Sequence, residues 1–108
     1  MLMEHENCPC METCPLNRAM ALIGGKWKMQ ILCSLYNNGP TRYNQLKKAL
    51  DGVSNTVLAN ALRELEGDGL VHRQEYLEVP VRVEYAIPEP CRQLIPILDA
   101  LGDWSMAL

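Results

Sequence analysis

The sequence lacks any long apolar run: its longest apolar stretches are a few residues, as in residues 20–23. A transmembrane helix needs about 20 apolar residues, so none is expected. Residues 1–7 contain two acids and no lysine or arginine, which is unlike the start of a signal peptide. We therefore expect a cytoplasmic protein with no membrane partner.

Catalytic signatures are lacking as well. The two histidines, His5 and His72, are not accompanied by a Ser/His/Asp arrangement, and no glycine-rich phosphate loop is present. A surface or packing role is enough to explain His72, which flanks a predicted strand. With 108 residues the chain has room for one small domain. We expect neither an enzyme nor a cofactor.

Acidic residues are absent from residues 15–50, which carry six basic residues in a chain of net charge −3. Residues 51–108 carry ten acidic and four basic residues, so the charge is strongly uneven. A basic segment in an acidic protein favours a surface that binds a polyanion. The alternative is a solvated face that is basic by chance.

Apolar spacing predicts a mainly α fold with a small β-hairpin. The predicted elements are helices over 15–23, 26–37, 42–50, 55–67 and 89–107 and strands over 70–77 and 81–87. Cys14, Thr41 and Ser54 are the expected N-caps, and Pro96 should kink the last helix or mark its first turn. Two helices joined by a tight turn and followed by a hairpin describe a winged helix-turn-helix.

A series of short motifs runs from residue 14 to residue 104, nearly the whole chain. In order they are Cys14-Pro15, Leu22-Ile-Gly-Gly-Lys-Trp27, Gly39-Pro40, Arg42-Tyr43, Leu62-Arg-Glu-Leu-Glu66, Asp68-Gly-Leu-Val71, Val79-Pro80, Arg82-Val-Glu-Tyr85, Leu98-Asp-Ala-Leu101 and Asp103-Trp104. Together they resemble HxlR-type winged helix-turn-helix transcriptional regulators, which are close to the MarR-like regulators. One segment departs from that family: Pro88-Glu-Pro-Cys91 stands where Thr-Pro-Leu-Gly is usual, which leaves the start of the last helix open.

The resemblance implies a homodimer that binds double-stranded DNA with one helix of each subunit in the major groove. On this basis residues 14–108 form the DNA-binding domain, with 89–108 as the C-terminal dimerisation helix. Residues 1–13 are then a flexible arm that contains cysteines. The last helix supports dimerisation separately, because its apolar residues point in more than one direction.

The predicted recognition helix is 55–67, with Asn55, Thr56 and Asn60 as the candidate base contacts. They lie in its N-terminal half, the part that reaches base edges. Asparagine can pair bidentately with adenine, and threonine offers a hydroxyl or a methyl group. An ordinary polar helix face would be the simpler interpretation without the helix-turn-helix context.

Basic and capping residues around this helix are the candidate phosphate contacts. They are Lys26, Lys28, Arg42, Lys47, Lys48, Ser54 and Arg63. Arg82, beside the hairpin tip, is the candidate wing contact with the backbone or minor groove. Two alternatives stay open: Arg82 pairs with Glu75 or Glu84, and Arg63 pairs with a neighbouring glutamate.

Among the five cysteines, Cys14 is the candidate redox-sensing residue. An exposed thiol at a helix N-cap has a stabilised thiolate, which oxidants and electrophiles attack. The resemblance adds that some family members respond to such agents through the equivalent cysteine. An inert cap is the alternative. Cys33 is expected to pack in its helix, and Cys91 could pair with a thiol across the dimer.

Two other functions remain open from the sequence. Cys8, Cys10 and Cys14, with His5, could bind a soft metal such as zinc, although C-x-C-x₃-C is not a standard structural zinc spacing. A winged helix could also serve only as a protein–protein interaction module, without DNA binding.

Overall fold

The computed structural model describes residues 14–108, so the predicted arm over residues 1–13 lies outside the described part. In chain order the elements are α1 (Pro15–Ile23), α2 (Lys26–Asn38), β1 (Thr41–Arg42), α3 (Tyr43–Ala49), α4 (Asn55–Gly67), β2 (His72–Tyr76), β3 (Arg82–Ala86), a 3₁₀ segment (Glu89–Gln93) and α5 (Leu94–Met106). The helix pair α3–α4 followed by the β2–β3 hairpin confirms the predicted winged helix-turn-helix.

The core lies where α2, α3 and α4 meet. Its most deeply buried side chains are Ile31, Leu32, Leu35, Leu46, Leu58, Leu62 and Leu65. Burying one such side chain contributes about 1.5–3 kcal/mol, so the apolar faces of these helices fix their mutual arrangement. The opposite face of α4 is left in solvent.

Two glycines make the sharp connection between α1 and α2. A Cβ on Gly24 would lie 2.3 Å from the backbone oxygen of Met20, so only glycine fits there. Gly25 has a φ of 104°, a left-handed conformation that L side chains rarely adopt. The Gly-Gly pair therefore ends α1 and starts α2 within two residues.

The sheet has three strands, in the order β1-β3-β2, rather than the two predicted from the hairpin alone. Thr41 pairs with Tyr85 of β3, and its hydroxyl donates to the Gly39 oxygen at 2.7 Å. The prediction that Thr41 caps the third helix was therefore wrong: Arg42 occupies the N-cap position of α3. Both hairpin strands are shorter than predicted by one or two residues at each end.

The Pro88-Glu-Pro-Cys91 departure forms a 3₁₀ turn that leads into α5. Pro96 falls in the first turn of α5, where its missing N–H costs no helical hydrogen bond. The Cys91 thiol donates to the Gly69 oxygen at 3.1 Å and ties this turn to the end of α4. None of the helices in residues 14–108 is both long and apolar enough to cross a membrane.

Candidate nucleic-acid interface

The predicted recognition helix begins with a defined cap. Ser54 occupies the N-cap position of α4, and its hydroxyl accepts a hydrogen bond from the Val57 N–H at 3.2 Å. From this start, Asn55, Thr56 and Asn60 are exposed on one side of α4 while its leucines are buried on the other. The structure thus brings the three predicted base-contact residues together on one accessible helix face.

Two of these polar side chains already have partners inside the chain. The Tyr43 hydroxyl lies 3.1 Å from the backbone oxygen of Asn55 and 3.3 Å from its Oδ1. The Arg63 guanidinium donates to Asn60 Oδ1 at 2.8 Å. The alternative partner foreseen for Arg63 was a glutamate, so this asparagine contact was missed. It follows the i, i+3 spacing of a helix, which the sequence could have indicated.

Most of the predicted cations are exposed around this helix. Lys26 lies with its ammonium 4.7 Å from the centroid of the Trp27 ring. Arg42 precedes α3, where its backbone N–H donates to Gln45 Oε1 at 3.3 Å. Lys47 and Lys48 stand in the last turn of α3, next to the turn that leads into α4. Lys26 lies at the start of α2 and the other three cations lie on or next to α3, where their positive charges suit phosphate groups.

Lys28 differs from the other cations, because its ammonium lies 2.7 Å from Glu64 Oε1 and its side chain is only 13% exposed. This hydrogen-bonded ion pair joins α2 to α4 and lowers the pKa of Glu64 below its ordinary value. Sequence reasoning placed Lys28 among the phosphate contacts and did not find this partner.

The wing arginine is held by three neighbouring side chains. Arg82 Nη2 lies 3.1 Å from Glu78 Oε2, and Arg82 Nε lies 3.8 Å from Glu84 Oε2. The guanidinium carbon is 4.1 Å from the centroid of the Tyr76 ring. Of the two glutamates named as alternatives, Glu84 is the one it contacts. The contact with Glu78 was not predicted. Its signal in the sequence is that Glu78 stands only four residues before Arg82, on the other side of the hairpin tip.

One cysteine, Cys14, lies in surroundings that differ from those predicted. Cys14 is at the N-cap of α1 as expected, but it is only 5% exposed, so the prediction of an exposed thiol was wrong. Burial and the nearby Asp99 raise the pKa of the Cys33 thiol. Cys8, Cys10 and His5 lie outside the described residues. Within residues 14–108, no three His, Cys, Asp or Glu side chains are grouped as metal ligands would be.

Residues 22–108 match the model of the HxlR-like helix-turn-helix family. The chain belongs to this family. Among the relatives of this chain, the HTH-type transcriptional regulator YdzF of Bacillus subtilis is 41% identical over 93 residues, which cover 86% of this chain and 85% of YdzF.

Solved structures of similar regulators have the same fold. The oxidised form of the redox regulator HypR superposes with a TM-score of 0.80 at 36% identity, over 88% of this chain and 97% of HypR. The reduced form of the transcriptional regulator YodB from B. subtilis has a TM-score of 0.77 at 31% identity, over 86% of this chain and 91% of YodB. The chain is therefore a transcriptional regulator of the HxlR type, with DNA as the partner that the family implies.

Proposed function

We propose that this HxlR-like chain binds a near-palindromic DNA operator as a homodimer, with α4 of each subunit in the major groove. The observation that carries the proposal is the exposed face of α4, where Asn55, Thr56 and Asn60 stand together beside the basic helix α3. In this arrangement these three residues contact base edges. Two such helices would read half-sites about 34–36 Å apart, one turn of B-DNA.

The surrounding residues position the protein on the phosphate backbone. Lys26, Arg42, Lys47, Lys48, Ser54 and Arg63 form the proposed phosphate-contact set. Lys28 is left out because its ammonium is already paired with Glu64. Arg82 stays a wing contact only if DNA displaces Glu78, so its contribution should be smaller than that of the α3 lysines.

Dimerisation is supported by apolar side chains left exposed on the terminal helices. These are Leu16 and Met20 on α1 and Ile97, Leu101 and Trp104 on α5. A face of this kind favours a two-fold interface with a second copy of the chain. A dimer would also relieve the marginal stability of so small a domain.

The test of DNA binding is a mobility shift of genomic DNA fragments by the full chain at several salt concentrations. We expect retained fragments to share a near-palindromic motif, and the affinity to fall steeply as salt rises because counterions are released. Failure to retain any duplex, together with a stable complex with another protein, would instead favour a protein–protein interaction module.

Control by thiol oxidation or by an electrophile at Cys14 is a second proposal. It is supported by the position of Cys14 at the N-terminus of α1 and by the similarity to the redox regulator HypR. Because Cys14 is 5% exposed, the reagent reaches it only when the start of α1 opens. We expect a thiol oxidant to change operator binding by the parent chain and not by Cys14→Ser. An equal response of the two proteins would contradict the proposal.

A further inference from the structure

Tyr43 joins the two helices of the helix-turn-helix unit at the point where α4 begins. Tyr43 is the first residue of α3, and its ring packs against the core. Its hydroxyl reaches across to Asn55, the first residue of α4, at 3.1 Å from the backbone oxygen and 3.3 Å from Oδ1. Packing of the ring places the hydroxyl oxygen at the entrance of α4.

This contact decides which end of the Asn55 amide is available to DNA. An asparagine amide has an acceptor end, Oδ1, and a donor end, Nδ2, and it can rotate by 180° to exchange them. The single Tyr43 O–H proton is shared between the Asn55 backbone oxygen and Oδ1, so the structure favours the orientation in which Oδ1 faces Tyr43 and Nδ2 is the end left for a partner. Asn55 itself is exposed, so that end is accessible.

The four bases differ in whether their major-groove edge presents an acceptor for such a donor. Guanine, adenine and thymine each present an acceptor there, at N7, O6 or O4, whereas cytosine presents only its N4 donor. A fixed Nδ2 donor therefore contacts three of the bases and meets cytosine donor to donor. An amide that is free to rotate would turn Oδ1 towards cytosine and lose this discrimination.

We propose that Tyr43 is a specificity-determining residue, which orients the Asn55 amide so that the base beside it carries an acceptor and is not cytosine. The inference rests on the proposed function, since it requires α4 to lie in the major groove. It assigns to Tyr43 the role of a positioning residue, which acts on DNA through Asn55.

The test selects binding sites from a pool of random DNA duplexes with the full chain and three variants. Asn55→Ala identifies the base position that Asn55 contacts. Tyr43→Phe removes the hydroxyl and keeps the ring, so the core packing is preserved. Tyr36→Phe is the matched control, because this exposed tyrosine on α2 has its ring beside the Arg92 guanidinium.

At the position found with Asn55→Ala, we expect the parent chain to disfavour cytosine about fivefold, the value of one hydrogen bond. Tyr43→Phe should reduce this discrimination below about twofold, with the other positions and the salt dependence of binding unchanged. Tyr36→Phe should select the same sites as the parent chain.

The outcomes that overturn the inference differ from the failure of the proposed function. If the parent chain enriches no sequence, the proposed function fails, and the inference fails with it. If the parent chain enriches a motif that Asn55→Ala alters and Tyr43→Phe does not, only the inference fails. Enrichment of cytosine at the Asn55 position, or a motif unaffected by Asn55→Ala, also contradicts it.

Discussion

Single residues differ in reactivity because their surroundings differ, as the thiol of Cys33 shows. Burial and the negative charge of Asp99 raise the pKa of this thiol, since both oppose the thiolate. The thiolate is the reactive form, so Cys33 should be alkylated more slowly than a solvent-exposed thiol.

We expect Asp99→Asn to lower the pKa of Cys33 and to speed its alkylation by iodoacetamide. The rate should be followed at the Cys33 peptide by mass spectrometry, because the chain has other cysteines. Asp103→Asn, on the same helix and not among the groups that shift Cys33, serves as the control. Equal rates for the two variants would show that Asp99 does not influence the thiol.

The N-cap of α4 is another effect of a single residue. The Ser54 hydroxyl accepts from the Val57 N–H, a backbone donor that has no partner within the helix. We expect Ser54→Ala to lower the free energy of unfolding by about 1 kcal/mol in urea denaturation without DNA. Ser54→Thr keeps a hydroxyl at this position and should lose less. If both variants lose the same free energy of unfolding, the Ser54 hydroxyl does not stabilise the start of α4.

At the scale of elements, the ion pair of Lys28 and Glu64 connects α2 to α4, the proposed recognition helix. Its lysine is largely shielded from solvent, so it cannot contact a phosphate without leaving Glu64. The structure therefore separates Lys28 from the exposed Lys48 of α3, although the sequence placed both in one group.

We expect Lys28→Met to leave the slope of log affinity against log salt unchanged. The matched variant Lys48→Met should flatten the slope by about 1.8 per homodimer, because each lost phosphate contact removes about 0.9. Both slopes come from titrations of one duplex at several salt concentrations. A flatter slope for Lys28→Met than for the parent chain would show that Lys28 does contact a phosphate.

The ion pair of Lys28 and Glu64 also makes the stability of the folded state depend on pH. Lys28 holds the pKa of Glu64 below its ordinary value of 4.5, so the pair stabilises the folded state above that pH. Its contribution is lost as the pH falls through the lowered pKa of the folded state. Between neutral pH and about pH 3, Lys28→Met should therefore lose less stability on acidification than the parent chain, as measured by thermal unfolding. A loss as large as that of the parent chain would contradict this sign.

At the scale of the whole molecule, the exposed apolar side chains of α1 and α5 favour assembly. Leu101 is 51% exposed on α5 and lies on the proposed interface, whereas Leu77 is 90% exposed in the connection between β2 and β3, outside the terminal helices. We expect Leu101→Glu to give a monomer and Leu77→Glu to remain a dimer, as measured by analytical ultracentrifugation.

The affinity for the operator should differ between these two variants in the same way as their oligomeric state. A monomer binds one half-site without the gain from a linked second site, so Leu101→Glu should weaken binding by about 100-fold or more. Leu77→Glu should have a much smaller effect. A dimeric Leu101→Glu variant with normal affinity would show that the interface lies elsewhere.

Much of the fold follows from local patterns that the sequence displays directly. The apolar spacing of α2 and α4, the Ser54 cap and the Gly-Gly turn depend on neighbouring residues along the chain, so their bounds were predicted within a residue. The exposed face of α4 followed in the same way, because burying one side of a helix determines which residues remain on the other. The family resemblance extended this local information to the winged arrangement.

Contacts between distant residues were decided only by the tertiary structure. Thr41 became a strand partner of Tyr85, Lys28 was paired with Glu64, and Cys14 was buried although its position as an N-cap was predicted correctly. Tyr43 and Asn55 met because α3 and α4 both pack against α2, which brings their first residues together. Each of these depends on the relative placement of whole elements, which is set by the shared core and leaves no periodic signal in the sequence.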